Sequence, residues 1–406
     1  MTDAPVTRDL ARCAAIVGAA EYPARRFSEV PAANSLEQAA DLALLALDDA
    51  GLTLADVDGL SVRGIYVTDQ FLPATLAEYL GVRIGYGGAP DLGGAAAAGM
   101  VWRAAAAIER GVASAIVCVY PGNYPPAPPP GDRQQRSFGA SSYLPGSPQA
   151  EFEIPYGHLG QNIPYAFIAQ RYAHAHGYDP EALARLVVHQ RRSANANPHA
   201  IFHGEPLTEA DVLASRMIAD PLRMLEIVRP IRGGTAVVVA SPEVARRTRH
   251  RPVAISGYGE GIAHKSPQFA RDILDPPLRE AAATAFAMAG LTPGDMAGAQ
   301  IYDCYTIAVL MALEAAGFCA PGAGFGFLRG HDMSFAGDFP LNTNGGQLGY
   351  GQAGGAGGMT HVIEGYRQAA GRAGARQIAG CDTMFVSGNG GIMSEQVALV
   401  LQGATA

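Results

Sequence analysis

The distribution of apolar and polar positions divides the chain into two kinds of segment. Residues 115–120 (AIVCVY) and 235–240 (TAVVVA) are strand-length runs without a charged side chain. Alanine-rich stretches of helical character, such as residues 46–50 and 285–289, occur elsewhere and end at a glycine. Strands that are apolar throughout are buried on both faces, and their alternation with helices favours parallel sheets covered by helices. The pattern therefore predicts an α/β protein.

The same order of elements occurs twice along the chain. Residues 46–62 contain a helix end, a glycine, a threonine-led turn and an apolar strand, and residues 285–303 repeat this order. A second match joins residues 93–123 to residues 353–391, where a glycine-rich turn opens a helix and a strand-like run follows. Internal repeats of this kind indicate a duplicated architecture. We therefore predict two similar α/β halves fused head to tail.

The repeat also predicts how its helices end. Gly51 and Gly290 follow the two alanine-rich helices, so each is expected to be a left-handed C-cap. Thr53 and Thr292 follow two residues later and are expected to cap the short turns that lead into the next strands.

A long segment separates the two halves. Residues 124–149 are rich in Pro, Gly and Ser and predict an irregular excursion. Residues 162–198 carry two helical patterns, the second beginning after Asp179, and Thr208 is placed to cap a further helix. The buried strand at 235–241 then closes the first half, so this segment is predicted to be an insertion.

Composition and charge exclude several classes of protein. The 406 residues are 49% hydrophobic and only 16% charged, so the chain has enough apolar side chains for a large core. The net charge is −8. No run of five basic residues occurs, so we expect no nucleic-acid partner. The N-terminus lacks the pattern of a secretory signal, and no apolar stretch reaches about 18 residues. We therefore expect no membrane span and a cytoplasmic location.

The five cysteines are scattered without a C-x-x-C pair. Zinc sites and disulfide frameworks use closely spaced or paired cysteines, so neither is predicted, and we expect no metal site.

Three local motifs carry a resemblance to a known family. Residues 342–358 (NTNGGQLGYGQAGGAGG) look like the thiolase signature Asn-x-x-Gly-Gly-x-x-x-x-Gly-His-Pro-x-Gly-x-x-Gly. Residues 301–306 (IYDCYT) look like the His-Asp-Cys-Phe-Thr segment of the sterol-carrier-protein-type thiolases, and residues 385–395 (FVSGNGGIMSE) also fit that branch. Over nearly its whole length the chain resembles the thiolase superfamily, near the acyl-CoA aldolases that shorten steroid side chains with a small zinc-ribbon/OB-fold partner.

The resemblance implies a fold and its divisions. It implies an α/β protein with the duplicated thiolase fold, in which two βαβαβ-type halves stack in five layers, α-β-α-β-α, with an inserted loop domain. The first half would comprise residues 1–123 and 230–250, the insertion residues 124–229, and the second half residues 251–406. It further implies a homodimer that forms a heterotetramer with the small partner. A coenzyme A thioester would be the substrate, with no tightly bound cofactor.

The reactive groups of ordinary thiolases are missing from this chain. Their nucleophilic cysteine falls near Leu92 and Gly93, their Gly-His-Pro histidine on Gln352, and their second cysteine near Ser387. Thiolysis proceeds through a covalent acyl-enzyme, which needs a thiolate. Cys304 lies in a site motif, but the sterol-carrier-protein-type branch has a cysteine there beside its separate nucleophile. Cys304 is therefore expected to be a buried small hydrophobe.

The residues that remain favour a carbon–carbon lyase. Retro-aldol cleavage of a 3-hydroxyacyl-CoA to an aldehyde or ketone plus acetyl- or propionyl-CoA needs a base and an oxyanion hole, but no nucleophile. The glycine-rich turns offer backbone N–H groups for the thioester, and the predicted coenzyme A contacts are Gly93, Gly94, Asn389 and Gly390. The alternatives are a Claisen-type thiolase or acyltransferase, and a non-catalytic acyl-CoA-binding subunit of a partner complex.

Several residues are candidates for the catalytic groups. The steroid-type aldolases that this chain resembles have a tyrosine at the position of the thiolase histidine, whereas this chain has Gln352. Glutamine can donate a hydrogen bond or orient a water, but it cannot act as a base. Asp303 either assists Tyr302 or caps a turn. The candidate catalytic residues are Tyr302, Gln352, Tyr350, Tyr258, Asp303 and His158.

Three further residues have weaker claims to a catalytic role. Tyr305 is expected to be a core aromatic, and His264 is a less favoured candidate base. His361 lies on the helix after the glycine-rich turn and is expected to face away from the site.

Overall fold

A computed structural model describes residues 9–10, 13–30, 33–65, 70–122, 146–158 and 160–404 of the chain. Most of the predicted irregular excursion at 124–149 lies outside these residues. None of the described helices is long and apolar enough to cross a membrane.

Eleven strands occur in the described part of the chain, nine of them in one sheet and two in a small hairpin. They are β1 (Ala15–Glu21), β2 (Gly59–Val62), β3 (Tyr86–Gly88), β4 (Ala115–Pro121), β5 (Met217–Ala219), β6 (Leu222–Arg223), β7 (Gly234–Ala240), β8 (Val253–Ile262), β9 (Gly298–Ile301), β10 (Thr383–Gly390) and β11 (Glu395–Gly403).

Thirteen α-helices lie between the strands of the described chain. They are α1 (Ser35–Ala50), α2 (Leu72–Leu80), α3 (Ala96–Glu109), α4 (Pro148–Phe152), α5 (Asn162–His176), α6 (Pro180–Asn195), α7 (Glu209–Ala214), α8 (Pro242–Ala245), α9 (Leu278–Ala289), α10 (Thr306–Ala315), α11 (Gly324–Gly330), α12 (Gly346–Tyr350) and α13 (Gly357–Ala369). A 3₁₀ turn precedes α3 at Gly93–Ala95, and another precedes α13 at Gly354–Ala356.

Strand order shows the duplication directly. The large sheet runs β3-β2-β4-β7-β1-β8-β11-β10-β9, so the series β2-β4-β7-β1 is mirrored by β9-β10-β11-β8. The two series meet where β1 pairs with β8 over two residue pairs, Ala15 with Ala254 and Ile16 with Val253. The prediction of two similar halves is confirmed.

The directions of the strands differ from the sequence prediction of parallel sheets. The pairs β2–β3, β2–β4 and β9–β10 are parallel, but β7 and β11 are antiparallel to both of their neighbours. Each half therefore contains a mixed sheet. The run at 235–240 is buried throughout, as predicted. Burial on both faces makes a strand apolar whichever way it runs, so its composition does not reveal its direction.

Helices cover the outer face of each half of the sheet, and two further helices lie between the halves. Helix α1 packs on β1, β4 and β7 of the first half, and α9 packs on β8 and β11 of the second. Helices α3 and α13 contact each other and strands of both halves, so they form the middle layer. This is the predicted five-layer arrangement. The described part of the segment between β4 and β7 contributes α4 to α7 and the β5–β6 hairpin; the predicted domain boundaries stay a prediction.

The caps predicted from the repeat are present in both halves. Gly51 and Gly290 end α1 and α9 in the left-handed region, at φ of 73° and 66°. Thr53 and Thr292 each form a capping box, in which the aspartate three residues later accepts the threonine N–H.

The predicted starts of two helices between the halves are also confirmed. Asp179 accepts a hydrogen bond from the backbone N–H of Ala182 at the start of α6. Thr208 accepts one from Asp211 at the start of α7.

Candidate active site

The site forms where the two central helices begin side by side. A Cβ atom at Gly358, in the first turn of α13, would overlap the carbonyl oxygen of Gly94, in the turn before α3. Glycine at both turns lets the two backbones approach this closely. The predicted oxyanion turn of the first half thus lies against the signature turn of the second.

Tyr302 lies beside this junction. It follows β9 directly and is 5% exposed. A Cβ atom at Gly94 would overlap both the phenol oxygen of Tyr302 and the carbonyl oxygen of Asn389. Three residues predicted from separate motifs are therefore brought together: Tyr302, Gly94 and Asn389.

Gln352 contacts the same phenol. Its Nε2 donates a 2.9 Å hydrogen bond to the Tyr302 oxygen. The backbone of Gln352 is held on both sides, since its N–H donates to the carbonyl of Arg229 and its own carbonyl accepts from Ile231. The amide is therefore fixed in place as a donor to Tyr302.

The remaining predicted contacts of the thioester lie around the same turn. Gly93 has a φ of 54°, and a Cβ atom there would meet Gly390 and Gly391 at 3.3 Å. Gly390 pairs with Glu395 across β10 and β11, and the Glu395 carboxyl reaches the space beside Gly390. Burial raises the pKa of Glu395 above its usual value. The turn thus combines bare backbone with a half-buried carboxyl that the motifs did not indicate.

Asp303 follows Tyr302 in the chain, and its side chain caps the start of helix α12. Its carboxylate accepts the backbone N–H groups of Gln347 at 2.7 Å and Leu348 at 3.0 Å. Capping a turn was one of the two roles that the sequence predicted for Asp303, and the structure shows this cap. The carboxylate also lies 3.1 Å from Nε2 of His361, and both side chains are fully buried.

The expectation that His361 faces away from the site is wrong. Its ring centroid lies 6.0 Å from that of Tyr302. His361 stands three residues after Gly358, so the two lie on one face of α13, and that face lies against Tyr302. The Nδ1 atom of His361 has no hydrogen-bond partner within the described ranges. The helical spacing from Gly358 indicates which face of α13 carries this histidine, but not that Tyr302 and Asp303 lie against that face.

Cys304, two residues after Tyr302 in the chain, is buried. Asn389 Nδ2 lies 3.6 Å from its sulfur and donates to the hydroxyl of Tyr165 at 2.9 Å. Burial raises the pKa of the Cys304 thiol to about 12. The thiol is therefore protonated at neutral pH, and only the thiolate is a nucleophile.

Tyr305 has the predicted core environment. It is 2% exposed, its ring stacks on Tyr165 at 4.1 Å between centroids, and its hydroxyl donates to Asn162 at 2.7 Å.

The structure holds three of the predicted catalytic side chains in other contacts. The Tyr350 hydroxyl donates to the carbonyl of Tyr22, and burial raises the pKa of Tyr350 well above its usual value. Tyr258 stacks on Trp102 of helix α3, with 5.6 Å between ring centroids, and its hydroxyl lies 3.4 Å from Glu109. None of these contacts involves Tyr302.

His158, after α4, is the third of these side chains. Its Nδ1 lies 3.3 Å from Glu153, and burial lowers the pKa of His158 despite that carboxylate. His264, the less favoured candidate, follows β8, and burial lowers its pKa too. The described contacts join neither histidine to Tyr302.

The assembled site has a definite chemistry. The phenol of Tyr302 accepts a hydrogen bond from the Gln352 amide and lies against the turn that precedes α3. The pair formed by His361 and Asp303 lies next to it. Within the described ranges, no three or more His, Cys, Asp or Glu side chains gather as a metal site would require. The groups present can move a proton and stabilise a developing oxyanion, whereas the thiol among them is not ionised.

Comparison with known proteins gives matches along nearly the whole chain. Residues 259–403 match the family model for the thiolase C-terminal domain-like region. The 17-hydroxy-3-oxo-4-pregnene-20-carboxyl-CoA lyase of Mycobacterium tuberculosis is 33% identical over 95% of this chain and 98% of its own. The steroid side-chain-cleaving aldolase of Thermomonospora curvata is 32% identical over 84% of this chain and 87% of its own.

A solved structure extends the match to three dimensions. The structure of the Ltp2-ChsH2(DUF35) aldolase superposes with a TM-score of 0.82 at 30% identity, covering 96% of this chain and 98% of the other.

Proposed function

The chain belongs to the thiolase superfamily, in the branch that includes the steroid side-chain-cleaving aldolases, and on this basis we propose that it is an acyl-CoA aldolase. Its substrate would be a 3-hydroxyacyl-CoA, and its products an aldehyde or ketone plus acetyl- or propionyl-CoA. The observation that carries the proposal is the phenol of Tyr302, which accepts a hydrogen bond from Gln352 and lies against Gly94.

Retro-aldol cleavage needs a group that accepts a proton and returns one. A base removes the proton of the β-hydroxyl, whose electrons form the new carbonyl. The bond between the α- and β-carbons breaks, and its electron pair moves into the thioester as an enolate. A proton then returns to the α-carbon, so no oxidant or reductant is required. We assign both proton transfers to Tyr302.

The enolate oxygen needs donors that are in place before the reaction. The turn at Gly93–Ala95 leads directly into the fourteen residues of α3, so its backbone N–H groups lie at the positive end of a helix. Gly93 and Gly94 leave the backbone bare, which allows a thioester to approach these N–H groups. We assign them, with Asn389 and Gly390, to the thioester.

Gln352 is assigned a supporting role at the phenol oxygen. An amide N–H cannot accept the substrate proton, but it strengthens its hydrogen bond when the oxygen becomes negative. The glutamine therefore favours the proton-accepting form of Tyr302, at the position where ordinary thiolases have a histidine base.

The Claisen-type alternative lacks a nucleophile at this site. Cys304 lies in the same sequence motif as Tyr302, residues 301–306. Burial raises the pKa of its thiol to about 12. We therefore propose a lyase rather than an acyltransferase.

We also propose an assembly. The similar solved aldolase pairs Ltp2 with ChsH2 (DUF35). We propose that this chain likewise takes a small partner of the zinc-ribbon/OB-fold type, in a cytoplasmic heterotetramer built on a homodimer. Strand β3 ends the sheet order and offers an edge, and exposed edges of this kind are commonly paired or covered. No tightly bound cofactor is proposed.

The test is direct cleavage of a defined substrate. The purified protein, alone and co-expressed with a DUF35-type partner, is mixed with 17-hydroxy-3-oxo-4-pregnene-20-carboxyl-CoA or with a simple 3-hydroxyacyl-CoA. Mass spectrometry then follows short acyl-CoA products. We expect a short acyl-CoA from the unchanged protein and a loss of at least about 100-fold for Tyr302→Phe, which removes only the hydroxyl.

Tyr305→Phe is the matched control, because it removes a neighbouring buried hydroxyl that donates to Asn162. It should keep activity within a few-fold. Absence of product with either substrate, with and without partner, would contradict the aldolase proposal and favour a non-catalytic acyl-CoA-binding subunit. Full activity in Tyr302→Phe would show that the residue assignment is wrong.

A further inference from the structure

We propose that His361 is a positioning residue for this site: as an imidazolium paired with Asp303, it supplies a positive charge that lowers the pH at which Tyr302 gives up its proton. The inference rests on the proposed function and adds a residue to the same site.

His361 is close to Tyr302 in two ways, through helix α13, which carries the histidine, and through the carboxylate of Asp303. His361 Nε2 lies 3.1 Å from Asp303, the residue that follows Tyr302 in the chain. The rings of His361 and Tyr302 are tilted by 44° with centroids 6.0 Å apart. A Cβ atom at Gly358 would lie 3.4 Å from the Tyr302 ring, so the first turn of α13 flanks this tyrosine directly.

A second observation concerns the free end of the imidazole. Within the described residues, Nδ1 of His361 is completely buried and makes no hydrogen bond, while Nε2 lies 3.1 Å from the Asp303 carboxylate and 3.3 Å from the side-chain nitrogen of Gln347. The number of protons on Nδ1 can therefore change without breaking the contact to the carboxylate.

Charge balance explains why a cation is needed there. The Asp303 carboxylate is fully buried next to Tyr302 in the chain, where charges interact more strongly than in water. An isolated carboxylate at that position would oppose a second negative charge on the phenol. An imidazolium on Asp303 makes the pair neutral overall, so the phenolate of Tyr302 no longer forms beside an uncompensated anion.

The other charged groups on the packed elements have partners of their own. Among the described residues they form ion pairs away from His361: Glu364 with Arg376, Arg367 with Glu21, and Arg103 with Glu260.

Uncharged titratable groups and one carboxyl complete the surroundings. Tyr350 of α12 donates to a backbone carbonyl, the Tyr120 oxygen of β4 faces Gly355, and the Glu395 carboxyl of β11 faces Gly390. In the described contacts, the charge that faces His361 is that of Asp303.

The test measures the ionisation of Tyr302 without substrate. The ultraviolet absorbance of tyrosinate is followed against pH in the full chain. Subtracting the curve of Tyr302→Phe leaves the rise in absorbance that comes from ionisation of Tyr302, which we call the Tyr302 step. His361→Gln keeps a side-chain donor for Asp303 but cannot become a cation. We expect the Tyr302 step to move up by about one pH unit or more, since a nearby opposite charge shifts ionisation by about 1–3 units. The acidic limb of kcat should move by the same amount, with little change in KM.

Two further variants separate charge from structure. The double variant Asp303→Asn with His361→Gln removes both charges, so the Tyr302 step should return toward its original position. Thr360→Val changes the neighbouring residue of the same helix, whose hydroxyl donates to Gly357, and should leave the step unchanged. His361→Asn gives a second single variant if His361→Gln does not fold.

The outcomes distinguish this inference from the proposed function. A Tyr302 step that coincides in the unchanged protein and in folded His361→Gln or His361→Asn would overturn the inference, whatever the activity. A shifted step that the double variant reverses would support it. If the step shifts in this way but no acyl-CoA is ever cleaved, the charge pairing holds while the aldolase proposal fails.

Discussion

Gln352 and Tyr302 are joined by a 2.9 Å hydrogen bond in which the amide Nε2 donates and the phenol oxygen accepts. The glutamine occupies the position of the histidine in the thiolase signature, and the tyrosine occupies that of the histidine in the sterol-carrier-protein-type motif. Two positions that hold histidines in these motifs therefore hold an amide donor and a phenol here. The donor stabilises negative charge on the phenol oxygen, which makes the tyrosine the proton-transfer group of the pair.

Replacing Gln352 with leucine should lower activity without unfolding the protein. The change removes the donor to Tyr302 but keeps the approximate volume of the side chain. Loss of one donor to a developing negative charge reduces kcat by about 10²–10³-fold at an oxyanion. Because this donor acts on the base instead, we expect a fall of roughly 10–100-fold in kcat and little change in KM, measured by steady-state kinetics.

Gln190→Leu is the matched control for that change. Gln190 is also fully buried, but neither polar atom of its side chain has a partner within the described residues. The control should keep full activity. Equal activity of Gln352→Leu and the unchanged protein would contradict a role for this hydrogen bond.

A single methyl group at Gly94 should disable the site. Its Cβ atom would overlap the phenol oxygen of Tyr302 and the carbonyl of Asn389, so one of them must move. A misplacement of about 1 Å at a reacting group can cost about 10²-fold in rate. We expect Gly94→Ala to lose roughly that much in kcat/KM while its circular dichroism spectrum stays native.

The control for that substitution is Gly326→Ala. A Cβ atom at Gly326, in α11, would have no neighbour within 4 Å. Alanine there should preserve activity and should not reduce thermal stability, because alanine favours helix more than glycine does. If both alanine variants are equally active, the close approach at Gly94 does not matter for function.

Features set by neighbours in the sequence could be predicted well. The left-handed caps at Gly51 and Gly290 follow from the backbone freedom of glycine, and the boxes at Thr53 and Thr292 need only an aspartate three residues later. The gathering of Tyr302 with the glycine-rich turns came instead from the family resemblance, which already relates distant motifs.

Features set by packing between distant segments could not be predicted. Tyr350 is only two residues from Gln352, yet its hydroxyl reaches Tyr22, more than 300 residues earlier in the chain. The contact between His361 and Asp303 likewise depends on how α13 lies against the end of β9. Sequence spacing places a side chain on a helix face, but it does not say which element covers that face.

Cys304 should be chemically silent in the folded protein. Burial raises the pKa of its thiol to about 12, above the usual range, so the reactive thiolate forms only as the pH approaches that value. We expect mass spectrometry to find no iodoacetamide adduct on Cys304 at about pH 8 and no acyl adduct after incubation with a 3-ketoacyl-CoA.

Denatured protein provides the positive control, because unfolding exposes the thiol and returns its pKa toward the usual value. Cys304→Ala should keep cleavage activity within a few-fold. An acyl group found on Cys304 would reverse the argument and support a thiolase-type acyl-enzyme.

His189 should make the folded protein less stable as the pH falls. Its Nδ1 accepts the backbone N–H of Met333 at 3.1 Å, which requires an unprotonated nitrogen, and burial lowers the pKa of His189 to about 4. The unfolded chain has a higher pKa, about 6.5, so it binds a proton that the folded chain excludes. Stability is therefore unaffected above about pH 6.5 and falls between about pH 6.5 and pH 4, by roughly 2–3 kcal/mol from this group.

Urea unfolding at about pH 7 and about pH 4.5 measures this loss. In His189→Gln, where an uncharged side chain can still accept from Met333, the difference between the two pH values should shrink by about 2 kcal/mol. His174→Gln alters an exposed histidine of α5 and should retain the full difference. An identical pH dependence in His189→Gln and the unchanged protein would show that His189 is protonated in the folded state as readily as in the unfolded one.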